Sequence, residues 1–264
     1  PLRLSELDYS LKTSNKASAP GPDGIPTSIL SKFWEFLRIP MLRGFKTMIR
    51  KKKMTPLLRC SRIKLIPKSN YPNITSLGRA RPIANVCSPY KILSGVISHR
   101  IETILETCIY KAQKAYSKTN IIAEPLLYTY ELMSKAIETN TSLCVMNVDF
   151  SAAFDTISIK FLEDVLRFFN FDDFFIDMVI TTLTERYGYV CTNEGQTKNF
   201  FIKVGCLQGD RSSCNFFKLC LNVLILFFVI TKKVTLPPAI PFKLNILDPK
   251  PDPISAFTDD YNKY

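Results

Sequence analysis

Residues 142–149 read SLCVMNVD, a short apolar run over residues 142–148 that ends at the carboxylate of Asp149. A continuous apolar run of this length is typical of a buried β-strand. Further along the chain, residues 254–260 read ISAFTDD, a second apolar stretch that ends in Asp259 and Asp260. Carboxylates that meet at strand ends raise each other's pKa unless a cation lies between them. The two stretches therefore indicate a site for two divalent metal ions, although adjacent aspartates on their own are more often turn residues.

Charged residues are distributed unevenly between the two halves of the sequence. Residues 1–120 carry 22 Lys and Arg against 6 Asp and Glu, whereas residues 121–264 carry 13 against 17. Clustered cations neutralise phosphates, so the first half predicts a nucleic-acid-binding surface and the second half predicts the carboxylate chemistry. A basic face that serves only solubility is the alternative interpretation of the charge.

Composition narrows the class of protein further. Hydrophobic residues make up 46% of the chain, which is enough for a folded core. The eight cysteines include no C-x-x-C pair and the chain has one histidine, so no zinc-ligand spacing is present. We interpret the cysteines as reduced, mostly buried thiols of an intracellular protein. The longest apolar run, residues 219–230, is too short to span a bilayer comfortably and predicts a buried helix, so no membrane partner is expected.

Two segments in the basic half predict a β-hairpin. Residues 62–68 read RIKLIPK and alternate basic with apolar side chains, and RPIA follows at residues 81–84 after a polar loop. This pattern places Lys64, Lys68 and Arg81 on one side of the hairpin. Simple surface charge is the alternative role for these side chains.

The remaining periodicities predict a mixture of helices and strands. Apolar residues at helical spacing predict helices over residues 28–53, 90–105, 121–139, 161–169, 174–183 and from 211 to about 230. Residues 187–204 alternate as a second hairpin that turns near residues 193–195, and PGPDGIP at residues 20–26 predicts a fixed loop. The order lacks a regular βαβ alternation, which predicts an α+β fold.

Several segments of the chain resemble the motifs of reverse transcriptases of the LINE-like, non-LTR retrotransposon branch, and they occur in that family's order. They are residues 19–26, the hairpin segments 63–68 and 81–83, the helix 90–101, VDFSAAFDTI at 148–157 (motif A), GCLQGD at 205–210 (motif B) and FTDD at 257–260 (motif C). The resemblance covers nearly the whole chain. It implies polymerase fingers and palm, an antiparallel sheet packed by helices, with residues 1–141 as N-terminal extension and fingers and residues 142–264 as mostly palm.

The resemblance implies a metal centre formed by the acidic residues. Asp149, Asp259 and Asp260 would be the catalytic carboxylates and would bind two Mg²⁺ ions, with Mn²⁺ as an alternative ion. The backbone carbonyl of Phe150 would be a further oxygen ligand. Asp155 is interpreted as a helix N-cap close to this centre.

The resemblance also implies a nucleotide site. Phe154 would stack under the sugar of the incoming nucleotide and exclude a 2′-hydroxyl, with an ordinary core phenylalanine as the alternative. Gln208 and Gly209 would lie along the nucleotide and the template, where a glycine lets the backbone approach closely. Lys64 and Arg81 would hold the triphosphate.

The sequence departs from the family pattern after motif B and after motif C. Arg211 occupies the position where proline is usual, and it would put a charge where a rigid residue is expected. Residues 261–264 are polar where an apolar return strand is usual, and the chain then stops. We expect the thumb and an endonuclease region to lie outside this chain, in a longer polyprotein.

The resemblance therefore implies an RNA-directed DNA polymerase core whose partners are an RNA template, a DNA primer and dNTPs, in an intracellular and nuclear location. The first alternative is a catalytically inactive RNA-binding relic, or domesticated fragment, that keeps the fold and the basic groove. The second is an RNA-templated RNA polymerase, which Phe154 disfavours because a ribonucleotide enzyme would need a smaller or hydrogen-bonding residue there.

Overall fold

The structure is a computed structural model that describes residues 1–68, 76–110, 113, 123–145, 149–150 and 152–231. The predictions for Asp259, Asp260 and the strand before them lie outside the described residues. The chain forms two compact units, the first made of residues 1–106 and 154–217 and the second of residues 107–153 and 218–264. The division of the chain at residue 141 into fingers and palm stays a prediction.

The helices follow the apolar periodicity closely. Within the described residues they are α1 (Leu4–Lys12), α2 (Thr27–Lys32), α3 (Trp34–Arg50), α4 (Pro56–Arg59), α5 (Ser88–Cys108), α6 (Ala123–Glu138), α7 (Ile159–Phe168), α8 (Asp173–Leu183) and α9 (Ser213–Thr231). The one helix predicted for residues 28–53 is two helices, because the backbone leaves helical geometry at Phe33, with φ −104° and ψ 18°. Helix α1 was not predicted, although Leu7 and Leu11 lie four residues apart and are buried on one face.

The described residues of the first unit form a five-stranded sheet. Its strands are β1 (Cys60–Pro67), β2 (Ala80–Val86), β3 (Arg186–Thr192), β4 (Gly195–Gln196) and β5 (Phe200–Ile202). Both predicted hairpins are confirmed, since β1 pairs antiparallel with β2 and β3 pairs antiparallel with β4 and β5. The predicted antiparallel sheet is instead a mixed sheet, because β1 pairs parallel with β3. The connection between these two strands contains helices and is long enough to return the chain in the same direction.

The β1–β2 hairpin has one buried and one more exposed face. Ile63 pairs with Ala84, and both side chains lie on the buried face. Lys64 pairs with Ile83, and Arg81 pairs with Ile66 two residues further along β1. Residues two apart on a strand, and residues directly opposite each other, project to the same face. Lys64 and Arg81 therefore lie on one side of the hairpin, as the sequence predicts.

The strand predicted for residues 142–148 is absent over residues 142–145, which have no regular structure. Leu143 and Val145 are 44% and 51% exposed, and within the described residues no strand pairs with this segment. An apolar run becomes a strand only when a neighbouring strand satisfies its backbone. Residues 146–148 lie outside the described residues.

The predicted apolar helix is found in the structure, whereas the cysteine thiols are less buried than predicted. Residues 219–230 lie within α9, with Leu219, Leu221 and Ile225 buried. No helix in the described part of the chain is long and apolar enough to cross a membrane. No disulfide joins any of the eight cysteines, and four of them are buried, including Cys220, whereas Cys144 is exposed.

Candidate functional site

The turn at residues 205–210 lies against the edge of the sheet. Strand β2 lies at the edge of the sheet that the described strands form, and the amide of Ala84 donates a hydrogen bond of 2.9 Å to the carbonyl oxygen of Gln208. Gly209 has φ +96°, and a Cβ at this position would lie 3.3 Å from the carbonyl oxygen of Ala84. The glycine therefore allows the turn to lie directly on the strand, and the turn covers a backbone donor that would otherwise be unpaired.

The same turn is bonded to residues 154–157. The amide of Gly205 donates to the carbonyl oxygen of Ile157 at 2.9 Å, and the amide of Cys206 donates to that of Phe154 at 2.8 Å. The Gln208 side-chain amide donates to the carboxylate of Asp155 at 3.1 Å. The segments that carry motif A and motif B are thus joined by two backbone bonds and one side-chain bond within the first unit.

The interpretation of Asp155 as a helix N-cap is wrong. Helix α7 is capped by Ser158, whose hydroxyl accepts a hydrogen bond of 3.3 Å from the amide of Phe161. Asp155 lies in the turn before that helix and orients Gln208 instead. An aspartate near a helix start resembles an N-cap locally, but here the chain must turn for three more residues before helical geometry begins at Ile159.

Lys64 and Arg81 lie on the hairpin face beside the turn. Ile83 shares this face with them, and a Cβ on Gly209 would lie 3.4 Å from the Cγ2 atom of Ile83. Lys64 is exposed and Arg81 is half-buried. The structure therefore brings together four of the predicted nucleotide-site residues, namely the two cations with Gln208 and Gly209.

Phe154 is a packed side chain in this structure. It is 7% exposed, and its ring centroid lies 5.6 Å from that of Phe217 with the ring planes tilted by 45°. This contact holds the ring in a defined orientation. The predicted contact of Phe154 with a nucleotide sugar stays a prediction.

The described members of the predicted metal centre are Asp149 and Phe150, both in the second unit. Asp149 is exposed and Phe150 is half-buried. A carboxylate and a backbone carbonyl are oxygen ligands of the kind Mg²⁺ prefers. The described residues contain no group of three or more His, Cys, Asp or Glu side chains that could hold a metal ion. The other two predicted ligands, Asp259 and Asp260, lie outside the described residues.

Asp210 is a buried carboxylate that the sequence analysis did not single out. It is 5% exposed and accepts hydrogen bonds from the hydroxyls of Ser94 and Ser212, the latter at 2.9 Å. The hydroxyl of Tyr90 lies 3.4 Å from the same carboxylate. Burial raises the pKa of Tyr90, and the negative charge of Asp210 raises it further, so Tyr90 stays protonated. These hydroxyls hold Asp210 at the end of the turn.

Arg211, which stands where proline is usual in the family, is bonded to helix α1. Its guanidinium donates to the hydroxyls of Ser14 and Thr13 at 3.1 and 3.3 Å, and to the carbonyl oxygen of Ser10 at 3.4 Å. The carbonyl end of a helix carries partial negative charge, which favours a cation. The charge at the position where a rigid residue is usual is therefore held by the C-terminal end of α1, and it ties the start of α9 to that helix.

The chain is similar in sequence to a known protein family and to two proteins of transposable elements. A family model described as reverse transcriptase (RNA-dependent DNA polymerase) matches residues 66–247, a range that includes motifs A and B and ends before Asp259. The transposon TX1 uncharacterized 149 kDa protein of Xenopus laevis is 23% identical over 222 residues, which are 84% of this chain and 17% of that protein. The retrovirus-related Pol polyprotein from type-1 retrotransposable element R2 of Popillia japonica is 26% identical over 231 residues, 85% of this chain and 30% of that protein. The chain thus spans less than a third of the length of either relative.

Proposed function

Because this chain belongs to the reverse transcriptase family and is related to proteins of the non-LTR elements TX1 and R2, we propose that it is the nucleotide-adding core of an RNA-directed DNA polymerase. It would extend a DNA primer along an RNA template, using dNTPs and two Mg²⁺ ions. Its resemblance to the family's fingers and palm supports this assignment.

The observation that carries the proposal is the position of the Gln208–Gly209 turn beside Lys64 and Arg81. A triphosphate needs cations on one side, and its base and sugar need a surface that the backbone can approach closely. The hairpin supplies the cations and the glycine turn supplies the close approach. Asp155 holds the side chain of Gln208 in place through a bond of 3.1 Å.

The proposed chemistry assigns the remaining motif residues to separate tasks. Asp149, Asp259 and Asp260 would hold the metal ions, with the Phe150 carbonyl as an additional ligand. When bound, the ions would activate the primer 3′-hydroxyl and neutralise the triphosphate. Phe154 would exclude a 2′-hydroxyl, a task that needs a rigid wall, and its packing against Phe217 supports that role.

Primer extension on an RNA template with Mg²⁺ and dNTPs tests the proposal. We expect the unchanged chain to extend the primer and Asp149→Asn and Asp259→Asn each to reduce extension by about a hundred-fold or more, since each removes a charged metal ligand. Asp164→Asn is the matched control. It makes the same chemical change on helix α7, at a side chain that is 55% exposed and paired with Lys160, and it should extend normally.

The outcomes separate the proposal from its alternatives. Salt-sensitive RNA binding without extension by any variant would support the inactive RNA-binding relic, because the basic hairpin face suffices for that binding. Incorporation of NTPs in preference to dNTPs by the unchanged chain would support an RNA polymerase. In a DNA polymerase, Phe154→Ala should raise the incorporation of NTPs relative to dNTPs.

A further inference from the structure

A fully buried cation begins strand β3. Arg186 is 1% exposed, and among the described residues its three guanidinium nitrogens have no hydrogen-bond partner. Arginine cannot lose its proton in a protein, so burial cannot neutralise it. A buried charge without a compensating group strongly destabilises the fold. The core around Arg186 therefore requires an anion.

The strand register places Arg186 on the apolar side of the sheet. Gly188, two residues along β3, is buried and pairs with Ser61, which in turn pairs with Val86 on β2. Residues two apart share a face, so Arg186 projects to the side that carries Val86 and Ala84. This is the face opposite the one that carries Lys64 and Arg81 in the nucleotide site.

Asp210 is the one buried Asp or Glu side chain among the described residues. Among the described residues no Lys, Arg or His nitrogen forms an ion pair with it, and the groups that donate to its carboxylate are the neutral hydroxyls of Tyr90, Ser94 and Ser212. The hydroxyl of Tyr90 lies 3.4 Å from Asp210 and 3.5 Å from the carbonyl oxygen of Thr182, in the last turn of α8. Thr182 lies four residues before Arg186 in the sequence. The pKa of Tyr90 responds to both charges, since Asp210 raises it and Arg186 lowers it, after the larger effect of burial.

We propose that Arg186 and Asp210 form a buried charge pair across Tyr90, and that Arg186 is thereby a positioning residue for the Gln208–Gly209 turn. This inference rests on the proposed function for its consequence in nucleotide binding, but the charge pair itself does not. Asp210 follows Gly209 directly, so the place of its carboxylate in the core sets where the turn lies against β2. Without the cation, the carboxylate gains stability by moving toward water, and the turn leaves its position on the strand.

A double-mutant cycle in thermal unfolding tests the pair without requiring any activity. Arg186→Met and Asp210→Asn each leave one buried charge without its counter-charge, and each is expected to lower Tm by about 10 °C. The double variant removes both charges and should recover at least half of the summed loss. The exposed pair Arg167 and Asp173, 2.9 Å apart, is the matched control, and the same changes there should move Tm by about 2 °C or less. Additive losses at Arg186 and Asp210 would overturn the proposal.

The positioning role has its own measurements. Hydrogen exchange of the amides of residues 206–210 should rise at least about ten-fold in Arg186→Met and return toward the original rate in the double variant and in Arg186→Lys. In primer extension, Arg186→Met should raise KM for dNTP more than it lowers kcat, and Arg186→Lys should restore KM. Unchanged exchange in Arg186→Met would refute the positioning role. If no variant extends a primer, the proposed function fails while the unfolding cycle and the exchange rates still decide the charge pair.

Discussion

Replacing Gly205 by alanine tests whether the turn at residues 205–210 is held against the segment at residues 154–157 by direct backbone contact. Gly205 has φ +84°, and a Cβ there would lie 2.6 Å from the carbonyl oxygen of Asp155 and 2.7 Å from its Cα. The atoms in the way belong to the backbone, so no side-chain rotation relieves the overlap. The two segments must therefore separate in the variant.

The cost of this separation follows from the geometry. A non-glycine residue at this positive φ costs about 1–2 kcal/mol. Separation also weakens the bonds from Gly205 to Ile157 and from Cys206 to Phe154, at 2.9 and 2.8 Å, and each contributes about 1 kcal/mol. The expected loss in the free energy of unfolding is therefore about 3–4 kcal/mol.

Gly24→Ala is the matched control for backbone strain alone. Gly24 also has a positive φ, +68°, but within the described residues a Cβ there would meet no atom within 4 Å. Its expected loss is about 1–2 kcal/mol. Urea denaturation followed by circular dichroism measures both variants, with the midpoints compared at an unchanged m value. If Gly205→Ala lost no more stability than Gly24→Ala, the backbone contact between the motif A and motif B segments would be disproved.

Three further changes have defined outcomes. Asp155→Ala removes the acceptor of the Gln208 side chain and should raise KM for dNTP about five-fold, as measured by steady-state primer extension. Asp155→Asn keeps an acceptor oxygen, so its KM should stay near the original value. Equal KM values for the two variants would contradict the role of Asp155. Burial raises the pKa of the Cys220 thiol to about 12, so this thiol stays protonated at pH 8. It should therefore resist a disulfide reagent that labels the exposed Cys144, and peptide mass spectrometry measures the labelling of both. Equal labelling of the two cysteines would contradict the burial of Cys220. Burial alone would raise the pKa of Glu6, but hydrogen bonds from the Arg100 guanidinium and from the backbone amide of Arg3 lower it below its ordinary value. The resulting stability is present above that ordinary value and is lost as pH falls through the lowered pKa, so Glu6→Gln should lower Tm more at pH 7 than at pH 3, and an equal loss at both pH values would contradict this.

Local patterns predicted the parts of the fold that depend on neighbouring residues. The alternation around Lys64 is a property of a few consecutive side chains, and it was enough to predict the hairpin and the shared side of Lys64 and Arg81. The parallel pairing of β1 with β3 joins residues far apart in sequence, and no periodicity within either strand carries that information. Helix α1 could have been predicted from the spacing of Leu7 and Leu11, which the polar residues around them obscured.

The residues of the candidate site also fall into two groups, those predicted from local sequence and those whose role depends on a distant contact. Gln208 and Gly209 were predicted from their motif, and the structure places them beside the predicted cations. The role of Asp155 was misassigned, because its partner lies in a turn more than fifty positions away along the chain. Arg186 gave no signal at all, since an arginine in a polar context is normally interpreted as exposed.

The sequence alone determined the chemical groups available to this protein and the elements that carry them: a basic hairpin, glycine turns, apolar helices, and the carboxylates that the family resemblance assigns to metal binding. These are consequences of side-chain type and of local spacing. Only the tertiary structure decided which groups meet. In the folded chain the motif B turn is hydrogen-bonded to motif A, Arg211 is bonded to α1, and Arg186 and Asp210 are both buried. The reason is physical, because burial and pairing depend on the packing of distant segments, and that packing is settled by the whole chain rather than by any one stretch of it.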